Sequence, residues 1–410
     1  MTRFLLIYAL TVTVLLTACH HHDEPEGVTQ SARTVLVYMS AENNLSEGAE
    51  DDLNEMLLAK TDKNNDCLLV YVDDRSSHIP YLARVSNGFL KDSVSLRDMG
   101  ISKRDTCSSD PDVMLSVINY AFRKYPSRNN DYGLVLWGHA SGWVIEDSVS
   151  TKTAASAQGR RKAYGLDNGV DVGARASWIN IYSLAQVLKQ VPHLKYIFAD
   201  CCNFQCLETL YALRDVADYI IGSPAEIPGV GAPYTTVVPA LFEPDSFYTA
   251  IIDRYYELPL GGGLRVPLSA VKTSNMAALA DATRQVLLSM KDTLSLTAYP
   301  NTEGLIHYYY SPLFHDANDF VLRFASSEAY AAWKQILDET VVYKKMAAKW
   351  MTNTAWQINY SDFQMSEERY GGVSMFVPQS SNKNSKYRNY NADIKQTAWY
   401  GAAGLANLGW

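Results

Sequence analysis

Residues 196–213 read YIFADCCNFQCLETLYAL. The apolar run Tyr196 to Ala199 ends at Asp200 and has the length of a buried strand. Apolar residues then recur at helical spacing from Cys206 through Leu210, so a strand hands over to a helix. Three of the chain's six cysteines, Cys201, Cys202 and Cys206, sit at this junction. They are metal ligands, disulfide partners, core filler, or a nucleophile.

The same alternation extends to both sides. RTVLVYMSA (33–41), CLLVYVDD (67–74), YLARV (81–85), YGLVLWGHA (132–140), KYIFAD (195–200) and DYIIGSPAE (218–226) read as strands. AEDDLNEMLLAK, residues 110–125 with the start signal Asp110-Pro111, residues 179–191 and residues 206–216 read as helices. Short, evenly apolar strands alternating with helices predict an α/β fold, a parallel sheet sandwiched by helices on both faces. Working residues of such sheets collect at the C-terminal ends of the strands. His139 ends one strand and the cysteines end the next.

At 410 residues, two domains fit the length, and Gly261-Gly262-Gly263 is the expected boundary. Residues 34–260 form the first unit, and residues 261–410 a mixed α/β C-terminal region packed on it. Residues 142–178 are polar and too long for an ordinary connection, hence functional or disordered. A net charge of -8, from 36 basic and 44 acidic residues, with no basic stripe, argues against nucleic acid as a partner.

The first 19 residues carry Arg3, an apolar run from Phe4 to Leu16 and then small residues, the pattern of a secretory signal. Leu16-Thr17-Ala18-Cys19 resembles a bacterial lipobox, which implies a lipid anchor on Cys19 and a cell-envelope location at a membrane. A signal without lipidation is the alternative. Residues 20–33 read as a flexible tether, its three histidines included.

The remaining cysteines are five, an odd number, which excludes complete pairing among themselves. Adjacent Cys201 and Cys202 point apart and lack a second pair, which argues against zinc. Cys206 and Cys201 suit packing, as does Cys67 in its apolar run. Cys202 differs, because placed at a helix N-terminus its thiol would be acidified, and His139 could exchange a proton with it. On residue type and spacing alone, nucleophile and core readings stand level.

LVLWGHASGW and YIFADCCNFQCLETLYALRDVADYIIGSPAEIPGVGAPY resemble the two catalytic segments of the clostripain family of cysteine peptidases. That family has a strand ending in Trp, any residue, His and Gly, then one ending in Asp, Ala and Cys, with Glu six positions later. Asp200, Cys202 and Glu208 fall on that spacing, while Ala140 and Cys201 depart from the usual Gly and Ala. TVLVYMSAENNLSEGAEDDLNEM, GVSMFVP and QTAWYGAAGL extend the similarity over residues 34–410.

The resemblance implies a caspase-like fold and an endopeptidase acting after Arg or Lys, with proteins or peptides as substrates. It implies Cys202 as nucleophile, His139 as base, and the backbone N–H groups of Ala140 and Cys202 as the oxyanion hole. Asp200 is implied in the pocket for the basic side chain, with helix capping as its alternative role, and Glu226 is a second candidate there. Self-cleavage at Arg160, Arg161 or Lys162 is implied by the family's habit of cutting the loop after the histidine. Some members need calcium; no EF-hand pattern is present, so a calcium dependence stays open and no cofactor is assigned. A catalytically inactive peptide-binding relative, and an envelope lipoprotein binding glycans through its tyrosines, are the competing readings.

Overall fold

A computed structural model of the chain describes residues 30–60, 66–76, 79–101, 107–144, 164–168, 177–258, 260–291, 294, 299–309, 313–354, 357–362, 365–383 and 389–410. The elements run β1 (Thr34–Ala41), α1 (Ser46–Leu58), β2 (Cys67–Asp74), β3 (Tyr81–Ser86), β4 (Phe89–Ser95), α2 (Pro111–Lys124) and β5 (Tyr132–Gly138). They continue with β6 (Tyr164–Asp167), β7 (Ser177–Ile179), α3 (Ile181–Leu188), β8 (Leu194–Asp200), α4 (Leu207–Ala212), β9 (Ala217–Gly222), α5 (Tyr234–Leu241) and α6 (Phe247–Tyr256). Then follow β10 (Leu268–Lys272), α7 (Met276–Ser289), β11 (His315–Asp316), α8 (Ala317–Phe324), α9 (Ser327–Thr340), β12 (Val341–Lys345), β13 (Lys349–Thr354), β14 (Gln357–Asp362) and β15 (Ser374–Met375). Asp110 caps α2 as expected, its carboxylate accepting from the N–H groups of Asp112 at 2.8 Å and Val113 at 3.3 Å.

Nine strands form one sheet in the order β12-β10-β9-β8-β5-β1-β2-β3-β4. The central strands β9, β8, β5, β1 and β2 are parallel, as the apolar runs predict. Antiparallel strands extend both edges, β3 and β4 on one side, β10 and β12 on the other. Residues on both sides of Gly261–Gly263 thus share the sheet. From β1 the chain moves one way to β2, and from β5 the other way to β8 and β9. The direction reverses between β1 and β5, where open α/β sheets hold their ligands.

Both faces of the sheet are covered, which is why its strands are uniformly apolar. On one face Leu36, Leu134, Ile197 and Ala199 pack against Ile118 of α2, Leu184 of α3 and Leu279 of α7. On the other Val37, Trp137, Tyr196 and Phe198 pack against Met56 of α1, Val237 of α5 and Ile251 of α6. Side chains alternate between these faces with a period of two.

A third cluster joins the C-terminal region to the strand ends. Trp143, Cys206, Tyr308, Phe314, Trp350 and Phe376 are buried together. Tyr308 and Tyr309 of the tyrosine run are buried in it. Polar bonds fix the same joint: Ser374 N–H donates to Gln205 O at 2.9 Å, and Phe376 N–H donates to Glu208 Oε1 at 2.8 Å. The Glu six positions after the second cysteine therefore holds the C-terminal region on α4.

Candidate active site

The period of two carries past the strand ends. On β8, Ile197 and Ala199 face one side and Tyr196 and Phe198 the other. Cys201 continues the first set and lies in that core, 1% exposed. Cys202 continues the second and packs, half-buried, against the α1–α5–α6 side. Asp200 shares that side through its bonds to α5 and α6. On β5, His139 continues the parity of Trp137, which also faces that side. Trp137 stands opposite Asp200 in the β5–β8 register, and His139 and Cys202 each follow two residues later.

Local backbone explains the histidine's place. Gly138 has a φ of 137°. A Cβ there would stand 2.8 Å from Ser40 O on the neighbouring β1, so only glycine fits. His139 Nε2 lies 2.9 Å from Asn44 Oδ1, on the turn that follows β1. The Trp178 ring lies 6.3 Å from its imidazole, centroid to centroid. Burial pushes the His139 pKa down to about 4.

Cys202 sits in a turn, not at a helix N-terminus as the sequence predicts. Helix α4 starts only at Leu207, with Cys206 as its cap. The thiol is accordingly not acidified: burial, then the nearby Glu226 charge, push it up to about 12, against a counteracting backbone bond from Ile227. Ile227 N–H donates to Cys202 Sγ at 3.3 Å, and the thiol points to Ile227 O at 3.8 Å. Thiol and imidazole are therefore both neutral at pH 7.

Ala140 bridges Tyr164 in antiparallel fashion. That bridge runs through Gly165 N–H, which donates to His139 O at 2.8 Å, and leaves the Ala140 N–H out of this bond.

Asp200 is 4% exposed and fully engaged. It accepts from Ala232 N–H at 3.0 Å and the Tyr234 hydroxyl at 2.9 Å on Oδ2, and from the Tyr255 hydroxyl at 3.0 Å on Oδ1. Burial raises its pKa and these donors oppose the rise. It does not cap α4: its bonds go to the segment after β9 and to α5 and α6. Beside it stands Asp52 of α1, to which the sequence analysis assigns no role. Asp52 is 3% exposed and accepts from Trp137 Nε1 at 2.6 Å. A Cβ on Gly231 would meet Asp52 Oδ2 at 2.6 Å and Asp200 Oδ2 at 3.3 Å, so both carboxylates face one spot under that loop. Burial, then the Asp200 charge, push Asp52 up to about 8. Glu226 stands by the thiol, whose pKa it raises, rather than in the Asp52–Asp200 pair.

Cys206 packs against Thr209 Oγ1, at 3.1 Å, in the third cluster. Cys19, Arg160, Arg161 and Lys162 lie outside the described residues. Among the described residues one acidic group suits a cation: carboxylate oxygens of Glu42, Asp73 and Asp167 lie within 4.8 Å of one another. Oxygen donors at that spacing fit a hard cation such as calcium, whose ligands lie about 2.3–2.6 Å away. Ser108 N–H already donates to Asp73 and Asp167, at 3.0 and 2.6 Å.

Comparison with known proteins shows the family and the fold. A model described as the clostripain family matches residues 37–407. A secreted C11 cysteine protease from Bacteroides thetaiotaomicron, solved with an irreversible peptide inhibitor, is 29% identical with a TM-score of 0.74, covering 92% of this chain and 100% of that one. An inactive zymogen C11 protease from Parabacteroides distasonis is 26% identical with a TM-score of 0.72, covering 92% and 99%. A further secreted C11 cysteine protease from Bacteroides thetaiotaomicron, 18% identical with a TM-score of 0.68 over 92% and 99% of the chains, shares the fold. No curated protein matches.

Proposed function

The chain belongs to the clostripain family of cysteine proteases, and from that premise we propose that it cleaves peptide bonds after Arg or Lys with Cys202 as nucleophile and His139 as base. The observation that carries this reading is the shared parity of His139, Cys202 and Asp200 at adjacent strand ends.

Because the resting pair is neutral, the proton leaves Cys202 Sγ for His139 as the sulfur attacks the peptide carbonyl. Ile227 N–H, already directed at the sulfur, supports the developing thiolate. The backbone N–H groups of Ala140 and Cys202 receive the oxyanion. The imidazolium then gives its proton to the leaving amine. Water, deprotonated by His139, hydrolyses the thioester and restores the thiol.

Asp200, with Asp52 beside it, supplies the negative charge for the substrate's guanidinium or ammonium. A cation docking there lowers the cost of two buried carboxylates, which favours basic over neutral side chains. Glu226 borders the thiol and the approach to it. The same preference directed at Arg160, Arg161 or Lys162 would cut the chain's own loop. Glu42, Asp73 and Asp167 would hold a calcium ion, which when bound would supply charge neutralisation between the turn after β1 and the ends of β2 and β6.

The two Bacteroides thetaiotaomicron relatives are described as secreted, and among the described residues no helix is long and apolar enough to cross a membrane. Lipidation at Cys19 would tether this chain to the cell envelope.

The test uses residues 20–410 on peptides with Arg, Lys, Ala or Asp before the scissile bond, beside Cys201→Ala and Cys202→Ala. Cleavage after Arg and Lys that only Cys202→Ala abolishes is expected. No cleavage by any form, even after trypsin nicks residues 152–162 and calcium is added, would favour a peptide-binding protein on this fold.

A further inference from the structure

Asn44 sits across the sheet's direction switch from the histidine, on the turn after β1, as His139 directly follows β5. Its Oδ1 lies 2.9 Å from His139 Nε2. An amide oxygen only accepts, so the Nε2 nitrogen carries the hydrogen and Nδ1 keeps the lone pair. A base must present that lone pair to the thiol.

The turn that carries Asn44 is held in place by its neighbour. Asn43 is fully buried, and its Nδ2 donates to Ser40 O at 3.0 Å and Leu166 O at 2.7 Å. Its Oδ1 accepts from Leu45 N–H at 2.8 Å. Ser40 is in turn paired with Gly138, the residue before His139. Asn44 and His139 are therefore fixed relative to each other through two neighbouring strands, although Asn44 itself is exposed.

We infer that Asn44 is a positioning residue for the reaction: its side-chain oxygen fixes the tautomer and orientation of the His139 imidazole and stabilises the imidazolium formed during attack. The inference rests on the His139–Cys202 reading. Titratable groups on the segments that meet at His139 are Glu42 on the turn of Asn44, Tyr164 and Asp167 on β6, and Asp200 and Cys202 at the end of β8, with Glu226 beside the thiol. All are unchanged in an Asn44 variant, so a shift in the histidine's titration reports the amide.

The experiment compares wild type with Asn44→Ala, Asn44→Asp and His139→Ala by pH profiles of kcat and kcat/KM. It adds nuclear magnetic resonance titration of His139 in a Cys202→Ala background. Asn44→Ala should lower kcat by about 10–100-fold with KM changed less than about threefold, by analogy with losing the partner that orients a metal-bound imidazole. Asn44→Asp should raise the imidazolium pKa by about one unit or more, as an adjacent carboxylate does. Unchanged kcat in Asn44→Ala while His139→Ala is inactive would overturn the inference alone. An unshifted His139 titration in Asn44→Asp would do the same, because a merely structural turn residue moves no titration. Retained activity in His139→Ala would instead remove the reading on which it rests.

Discussion

Trp137 stands opposite Asp200 in the parallel register of β5 and β8, and two residues beyond each, past the strand ends, come His139 and Cys202. The Trp137 side chain also binds Asp52, the neighbour of Asp200. One register pair thus ties the proposed pocket to the proposed dyad.

The resting thiol is predicted to be unreactive. A thiol pushed up to about 12 is protonated at pH 7, and its thiolate fraction rises about tenfold per pH unit below that value. Iodoacetamide labelling of Cys202 in the uncut chain, followed by peptide mass spectrometry, should climb steadily from pH 6 to pH 10. A plateau with a midpoint below pH 8 would show a thiolate that burial does not suppress.

Asp52 makes stability depend on pH. Its folded pKa of about 8 lies above the ordinary 3.8, so the folded chain keeps a proton that the unfolded chain has released between those values. Stability from this group is therefore greatest at low pH and falls as pH rises from about 4 to 8. Asp52→Asn removes the titration and should gain at least about 1 kcal/mol at pH 8 relative to pH 5. Denaturant unfolding at the two pH values measures it, and equal effects at both would be a contrary result.

Substitutions at Asp200 separate specificity from folding. Asp200→Ala leaves the Tyr234 and Tyr255 hydroxyls and the Ala232 N–H without their acceptor. Each such loss costs about 1–3 kcal/mol, so the variant should be destabilised by about 3 kcal/mol or more. Asp200→Asn retains an acceptor oxygen and should fold. Its kcat/KM on Arg and Lys peptides should drop by about 100-fold, the scale of leaving a charge without its partner, while Ala peptides change little. An undiminished preference for Arg and Lys would place the pocket elsewhere.

Glu208 should matter for the joint with the C-terminal region rather than for the chemistry. Glu208→Ala orphans the Phe376 N–H and should cost about 1–3 kcal/mol in unfolding free energy. Glu208→Gln keeps an acceptor and should cost less. A Glu208→Gln variant as destabilised as Glu208→Ala would mean that the hydrogen bond is not what holds the joint.

The central sheet is legible in the sequence because strands buried on both faces are written as unbroken apolar runs. The choice of Cys202 over Cys201 is what the family spacing implies, and the alternation along β8 turns Cys201 into the core. Two features escape local spacing for a common reason. The junction 201–206 reads as the start of a helix, but Asn203 takes a left-handed φ of 55° and binds back to Ala225 and Pro224. Those partners lie beyond β9, too far along the chain for local spacing to register. Asp52 resembles its solvated neighbours Glu50 and Asp51 in the sequence, and only the packing of α1 against Trp137 buries it. Asn44 carries no periodic signal, since an asparagine in a polar turn is ordinary; its partner comes from another strand. The edge strands β10 and β12 lie far apart in the chain and meet through long-range pairing.

The most direct measurement maps where a basic affinity label lands. Residues 20–410, first nicked by trypsin that is then removed, are treated with peptide chloromethyl ketones ending in Arg, Lys or Ala and mapped by mass spectrometry. The predicted result is an adduct on Cys202 from the Arg and Lys ketones, absent in His139→Ala and unaffected by Cys201→Ala. An adduct on Cys201, or labelling of Cys202 by the Ala ketone alone, would contradict the assignment of nucleophile and pocket.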